Sequence, residues 1–117
     1  MRQPLSPMNL NGVDWSWMDL TDTDLNEASF VGAILIGAKL TRTKLRNAKL
    51  SDGNLLNADL SYADLSYADL SGANLTGANL TGANLTGADL SLTNLDAANF
   101  TQANLTGAIL PSRLVGE

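Results

Sequence analysis

The chain has 117 residues with a net charge of −5, and its sequence contains neither cysteine nor histidine. This composition excludes disulfides, thiolate or imidazole metal sites, and every catalytic triad that uses histidine or cysteine. The acidic balance disfavours direct binding to nucleic acid, because phosphate contacts need a basic surface.

The N-terminal ten residues lack an apolar run of the length that a signal peptide needs, and no stretch of the chain approaches the length of a membrane span. We therefore expect a soluble, cytoplasmic protein that does not contact a membrane. Residues 1–7 are predicted to form an N-terminal cap, because the exposed end of a repetitive fold needs a cover.

A five-residue repeat fills the following part of the chain. Every multiple of five from 10 to 110 is leucine, except Trp15, Phe30 and Phe100, which gives twenty-one consecutive units without insertion or deletion. A small residue, most often alanine, lies two positions before the central residue of most units. These two positions share one face of an extended segment, whereas the Asp, Asn, Ser, Thr and Gly residues around them favour turns. The pattern predicts a chain that turns once per unit and buries leucine and alanine.

Two typical units are Ala58-Asp59-Leu60-Ser61-Tyr62 and Ala73-Asn74-Leu75-Thr76-Gly77. This A-(D/N)-L-x-x pattern resembles the pentapeptide-repeat family over nearly the whole chain. The resemblance implies an all-β fold, a right-handed quadrilateral β-helix with about five coils of four pentapeptides. Residues 8–112 would form this solenoid and residues 113–117 a C-terminal tail. The family is abundant in cyanobacteria and most of its members have no assigned activity, so the resemblance implies a fold rather than a function.

Stacking residues that are twenty positions apart predicts which outward side chains meet. Opposite charges then alternate in the columns Asp19–Lys39–Asp59 and Asp24–Lys44–Asp64, and in the pairs Lys49–Asp69 and Asp22–Arg42. We interpret these columns as ion-pair ladders. The alternative is an acid-binding patch, which would require the aspartates to turn away from the lysines.

Polar columns without charge also follow from this stacking. Asparagine columns of the C-terminal half, such as Asn74–Asn94, are interpreted as structural amide stacks. Threonine rows raise the alternative of ice binding, but they lie at corners rather than on a flat face. No metal or cofactor is expected, because one carboxylate per unit spreads the acidic groups around the rod.

Exceptions to the repeat identify the candidate binding residues. Ile34 and Ile36 occupy outward positions, Leu56 stacks on Ile36, and Trp17 belongs to the coil below. An apolar patch outside a soluble rod predicts a protein interface. The alternative is that the N-terminal segment folds back and covers it. Tyr62 and Tyr67 are further outward aromatic residues that could contact a partner.

The C-terminal end is apolar as well, since Ile109, Pro111, Leu114 and Val115 interrupt the polar pattern. This end predicts a homodimer through end-to-end contact, whereas the alternative is that the short tail covers it.

No combination of acid, base and nucleophile emerges, and a convex rod offers no cleft, so we expect no enzymatic activity. We predict a structural module that presents its surface to an unidentified protein partner. The alternative function is an acidic, DNA-mimicking inhibitor or protector of DNA gyrase, which the resemblance also implies. The modest charge and the lysines among the aspartates disfavour it.

Overall fold

A computed structural model of the chain describes residues 7–112. Within this range a two-residue turn and a single parallel bridge alternate every five residues, and no α-helix is present. Each bridge joins residues that are twenty positions apart, from Asn9 and Ser29 to Asp89 and Ile109. Four units therefore complete one coil, and the coils stack as a right-handed quadrilateral β-helix. The predicted fold is confirmed.

The rod has four sides, which we number by the column of central residues that each contributes. Side 1 contains the units centred on residues 10, 30, 50, 70, 90 and 110, and sides 2, 3 and 4 begin with the units centred on 15, 20 and 25. Within each unit we name, in order, the small residue, the preceding residue, the central residue, and the first and second turn residues.

Backbone hydrogen bonds tie every unit to both neighbouring coils, as the unit of residues 63–67 illustrates. The N–H groups of Leu65 and Tyr67 donate to carbonyls of the next coil, at 2.7 and 2.8 Å. The N–H of Asp64 donates to the Thr43 carbonyl of the previous coil, at 3.0 Å. Ala63 closes the preceding turn, because its N–H donates to the carbonyl of Leu60.

The remaining N–H of this unit, that of Ser66, donates to the Asp64 carboxylate at 3.0 Å, and the Ser66 hydroxyl donates to the same oxygen at 2.6 Å. An equivalent backbone bond from the first turn residue occurs in every unit whose preceding residue is Asp or Asn. All five N–H groups of such a unit in the middle of the rod are thus paired, which explains why short polar side chains recur there.

Each turn places its second residue in the left-handed region, with φ between 56 and 72°. One positive φ at the third of four residues is typical of a type II turn, and the N–H of the small residue closes the turn by donating to the preceding central carbonyl. Glycine adopts this conformation without a steric cost, which explains its recurrence at this position in the C-terminal half.

Leucine and alanine fill the interior. Most central and small residues of the middle coils are fully buried, whereas Leu95, Phe100, Leu105 and Leu110 of the last coil are partly exposed. Thr43 and Thr93 replace alanine without leaving a buried polar group unpaired, because their hydroxyls donate to the carbonyls of Leu20 and Leu90.

Two interpretations of the outward columns need correction. The charged columns exist, since bridges join Asp19 to Lys39 and Lys39 to Asp59. However, no Lys–Asp pair among residues 7–112 lies within ion-pair distance; in that range only Arg42 and Asp22 form such a pair. The aspartates of the neighbouring coils instead accept hydrogen bonds from their own units, so their carboxylates are committed locally.

The asparagine columns behave in the same way as the aspartate columns. The amide oxygen of Asn79, for example, accepts bonds from the N–H and hydroxyl of Thr81, at 3.0 and 2.6 Å. No bond between asparagines of successive coils occurs within residues 7–112. The columns are structural, as expected, but they support the turns rather than linking the coils.

Candidate interaction surface

Trp17 is the most exposed aromatic side chain of the described residues, with 71 % of its surface accessible. It is a second turn residue with a φ of 65°, at the corner between sides 2 and 3. Its ring lies directly over Gly37 in the next coil, where a Cβ would overlap three ring atoms. The absence of a side chain at Gly37 therefore leaves room for the indole next to the backbone.

The structure places Ile34, Ile36 and Leu56 on side 2, beside this indole. The carbonyl of Ile36 accepts a bond from the Trp17 N–H at 2.8 Å, and the carbonyl of Leu56 accepts one from Gly37 at 2.8 Å. All three aliphatic side chains are half-buried, so Trp17 provides most of the exposed apolar area. We call Trp17, Ile34, Ile36 and Leu56 the Trp17 patch. Their contact with one another stays a prediction, and the proposed cover includes residues 1–6, which lie outside the described residues.

Tyr62 and Tyr67 are separate from the Trp17 patch, at the two corners that flank side 4. They are 57 and 51 % exposed, and their rings lie over Gly82 and Gly87 in the next coil. The Arg46 guanidinium lies 4.9 Å from the centre of the Tyr67 ring and also donates to the Ser66 hydroxyl. Tyr67 is therefore already engaged by a cation, whereas Tyr62 has no ring contact of this kind in the described part of the chain.

The C-terminal candidates separate into three groups. Ile109 is 55 % exposed on side 1, Pro111 is buried, and Leu114 and Val115 lie outside the described residues. The burial of Pro111 removes it from an exposed contact surface. Sequence reasoning missed Leu92, which at 84 % is the most exposed large apolar residue described. Its place as a second turn residue, outward in every unit, was the available signal.

The strongest charge contact joins Arg42 and Asp22, which pair through two bonds of 2.8 and 3.0 Å. The Arg42 guanidinium lowers the pKa of the Asp22 carboxyl from its ordinary value. The pKa of Asp19 is also lowered, chiefly by the hydroxyl and N–H of Thr21 and to a smaller extent by the charge of Lys39. These carboxylates are ionised at neutral pH and are occupied by local contacts. Within residues 7–112 no group of acidic residues converges as a metal site would.

A family model described as Pentapeptide repeats matches the sequence at residues 6–37, 38–77 and 73–110, with eight copies of the repeat. The chain belongs to the pentapeptide-repeat family. The matched ranges cover almost the whole chain, which confirms the resemblance inferred from the repeats.

Solved structures of other pentapeptide-repeat proteins are similar to this one. A pentapeptide repeat protein, Rfr23, from the cyanobacterium Cyanothece 51142 is 29 % identical with a TM-score of 0.77, and the match covers 87 % of each chain. QnrB1, a plasmid-mediated fluoroquinolone resistance protein, is 23 % identical with a TM-score of 0.57, over 84 % of this chain and 57 % of QnrB1. At that identity, the likeness to QnrB1 concerns the fold alone. No curated protein matches the chain significantly.

The pentapeptide-repeat architecture limits which side chains are available for binding a partner. Repeat residues are committed to the interior, the turns or the local side-chain bonds, so they leave few groups for recognition. The departures from the repeat, above all Trp17 on Gly37, are apolar and held by the backbone. Among residues 7–112 no helix is long and apolar enough to cross a membrane.

Proposed function

We propose that the chain is a non-catalytic module of the pentapeptide-repeat family that binds a protein partner through the Trp17 patch. The observation that carries this proposal is the indole of Trp17, which is 71 % exposed yet has three ring atoms at the place that a side chain of Gly37 would occupy. Covering an indole of this exposure contributes about 2 to 4 kcal/mol to binding by the area it removes from water.

The fixed position of the indole adds to this contribution. The backbone of Trp17 is bonded to the next coil, and the ring lies against backbone rather than in open solvent. A partner therefore orders fewer side-chain rotations on binding than it would at a mobile residue. Tryptophan on a rigid surface, with aliphatic neighbours, is typical of the residues that dominate protein interfaces.

Capture experiments with matched charge variants test this proposal. The test variant carries Ile34→Asp and Ile36→Asp, and the control carries Asn74→Asp and Thr76→Asp at the same two positions of side 2, two coils further along. Both variants add two negative charges to the same side of the rod. Circular dichroism and urea unfolding establish that each remains folded.

We expect the wild type and the control to capture the same proteins, and the test variant to lose at least one of them. A protein that only the test variant loses must also bind the purified wild-type chain directly and change the emission of Trp17 in a Trp15→Phe background. Equal capture by the test variant and the wild type would exclude the Trp17 patch as the interface.

The alternative function, inhibition or protection of DNA gyrase by an acidic DNA-mimicking surface, is less favoured by the charge distribution. Lys39, Lys44 and Lys49 are exposed on three successive sides, between columns of aspartate, so the negative surface is interrupted. A supercoiling assay tests this alternative. Inhibition that is lost when aspartates of these columns are neutralised would favour it over the interaction module.

A further inference from the structure

The two ends of the rod differ in their hydrogen-bonding groups. Toward the C-terminus, each unit presents two N–H donors, from the central and second turn residues, and one acceptor, the carbonyl of the small residue. Toward the N-terminus, each unit presents two acceptors, from the preceding and first turn residues, and one donor, the N–H of the preceding residue. Every backbone bond between coils joins one of these sets to the other.

The last coil leaves the first of these sets unpaired. Among residues 7–112 no acceptor is present for eight N–H groups of its four units, nor for the N–H of Leu92 just before them, and no donor for the carbonyls of Thr93, Ala98, Ala103 and Ala108. The eight donors are those of Leu95, Ala97, Phe100, Gln102, Leu105, Gly107, Leu110 and Ser112.

The first coil leaves the complementary set unpaired. Within the described range its four preceding residues, Asn9, Asp14, Asp19 and Asp24, have no partner for their N–H or carbonyl groups. The carbonyls of its first turn residues are unpaired as well, namely those of Asn11, Ser16, Thr21 and Asn26. Eight acceptors and four donors thus stand at one end of the rod, and eight donors and four acceptors at the other.

We propose that the C-terminal coil is a docking surface for the N-terminal coil of a second copy of this chain. The second copy would continue the spiral, with its unit centred on Leu10 stacked on Leu95, and with Trp15 above Phe100. All twelve open groups of each end then find a partner with the geometry used inside the rod. Because twenty-one units are not a multiple of four, each added copy is turned by one side, and the contact repeats without closing.

Two C-terminal coils that face each other would not match in this way. Their sixteen N–H groups would meet eight carbonyls, so with one bond per carbonyl, as between the coils of the rod, eight donors would lose water without gaining an acceptor. The symmetric end-to-end dimer that the sequence suggests is therefore the poorer arrangement.

Apolar burial favours the same contact. Leu95, Phe100, Leu105 and Leu110 are partly exposed at the C-terminal end, and Val13 and Trp15 are partly exposed in the first coil. Leu20 and Leu25 of the first coil are already buried, so most of the newly covered area would come from the C-terminal coil.

Charge variants that block one end at a time test the proposal with the full chain. Phe100→Lys blocks the C-terminal coil, with Leu105→Lys as a second variant at the same end, and Val13→Lys blocks the N-terminal coil. Each substituted position is partly exposed in the single rod, so the lysine can reach solvent there. Circular dichroism confirms folding before sedimentation velocity measures the mass as a function of concentration.

We expect the wild-type mass to rise with concentration beyond that of a dimer, and each blocked variant alone to remain a monomer. A mixture of Phe100→Lys and Val13→Lys retains one free end of each kind, so it should form a one-to-one complex of roughly twice the monomer mass. A wild type that stays monomeric at high concentration would overturn the proposal. So would a wild type that stops at a dimer which Val13→Lys still forms, because this result requires the symmetric contact.

Discussion

The second coil and the fourth coil, each taken together with the first unit of the next coil as residues 29–51 and 69–91, share one backbone but differ in their surfaces. In the fourth coil every preceding residue is Asp or Asn and accepts a bond from its own turn. In the second coil the preceding residues are Ser29, Ile34, Lys39, Lys44 and Lys49, none of which accepts such a bond. The backbone ladder and the leucine interior continue unchanged through both.

Two turns of the second coil obtain a substitute acceptor from the coil below. The amide oxygen of Asn11 accepts the N–H of Val31 at 2.9 Å, and that of Asn26 accepts the N–H of Arg46 at 2.8 Å. The remaining turns, which begin at Ile36, Thr41 and Ser51, have no such acceptor within residues 7–112. The local side-chain bond is therefore dispensable for the fold. A side chain that gives it up, such as that of Ile34, is free to take part in the proposed recognition.

Substitutions in the interior should destabilise the two coils equally. Of all the predicted changes in stability, this one is the largest. Leu35 and Leu75 lie in one column of side 2 and are both fully buried. Replacing either one by alanine should lower the free energy of unfolding by about 2 to 5 kcal/mol, because a cavity remains in a closely packed interior. Urea unfolding should give the same loss for both variants. A difference above about 1.5 kcal/mol would show that the surface of the second coil weakens its interior.

The sequence was sufficient to predict the fold, because the inward leucine and alanine recur in a fixed phase and each residue type agrees with its position. The same regularity assigned Ile34, Ile36 and Leu56 to one side of the rod and Trp17 to its corner, and the structure has them there. Side-chain direction was not predictable from stacking alone. Lys39 lies between Asp19 and Asp59 without an ion pair because both carboxylates accept bonds from their own hydroxyl residues. The rings of Trp17, Tyr62 and Tyr67 each lie over a glycine twenty positions later. The sequence contains this pairing, but the composition alone does not reveal it.

The second largest expected difference between the coils concerns the glycine beneath the Trp17 ring. Gly37 and Gly77 lie in one corner column with φ of 63 and 69°, and alanine at either position should cost about 1 kcal/mol from its left-handed backbone. At Gly37 the new methyl would also displace the Trp17 ring, whereas at Gly77 it would meet the Asn57 amide.

Fluorescence measures this difference in a Trp15→Phe background, in which Trp17 is the only tryptophan. Gly37→Ala should shift the emission to longer wavelength as the ring enters solvent, and Gly77→Ala should leave it unchanged. Identical spectra for both variants would mean that Gly37 does not hold the ring.

Changing the side-chain acceptor of a turn should have a smaller effect on stability. Removing an acceptor from the fourth coil should destabilise the fold, whereas adding one to the second coil should stabilise it. Asn79→Ala removes the acceptor of two bonds from Thr81, so it should destabilise the fold by about 1 kcal/mol. Lys39 occupies the same column, and Lys39→Ala should leave the free energy of unfolding nearly unchanged. Lys39→Asn should stabilise the fold by about 0.5 to 1 kcal/mol, because it supplies an acceptor for the Thr41 N–H. Thermal and urea unfolding check all three variants, and a destabilising Lys39→Asn would contradict this explanation.

Acid should destabilise the turns that rely on aspartate more than those that rely on asparagine. This is the smallest of the predicted effects. Bonds from the Thr21 hydroxyl and N–H lower the pKa of Asp19 from its ordinary value of 3.8, and Lys39 adds to this lowering. Partial burial raises the pKa of Asp59, but the bonds from Ser61, the bond from the Thr41 hydroxyl and the charge of Lys39 together outweigh it, so the net shift is again downward. A lowered folded-state pKa contributes stability that is complete above the unfolded value and is lost as the pH falls through the folded value.

Amide hydrogen exchange at pH values from about 5 down to about 2 locates this loss. Protection of the Thr21 N–H, which donates to Asp19, should fall with pH, whereas that of the Thr81 N–H, which donates to the non-titrating Asn79, should persist. Asp19→Asn serves as the control, because it keeps an acceptor while removing the titration, so its Thr21 protection should become independent of pH. If Thr21 and Thr81 lost protection together in the wild type, acid would be acting on the whole rod, and the two kinds of turn would be energetically equivalent.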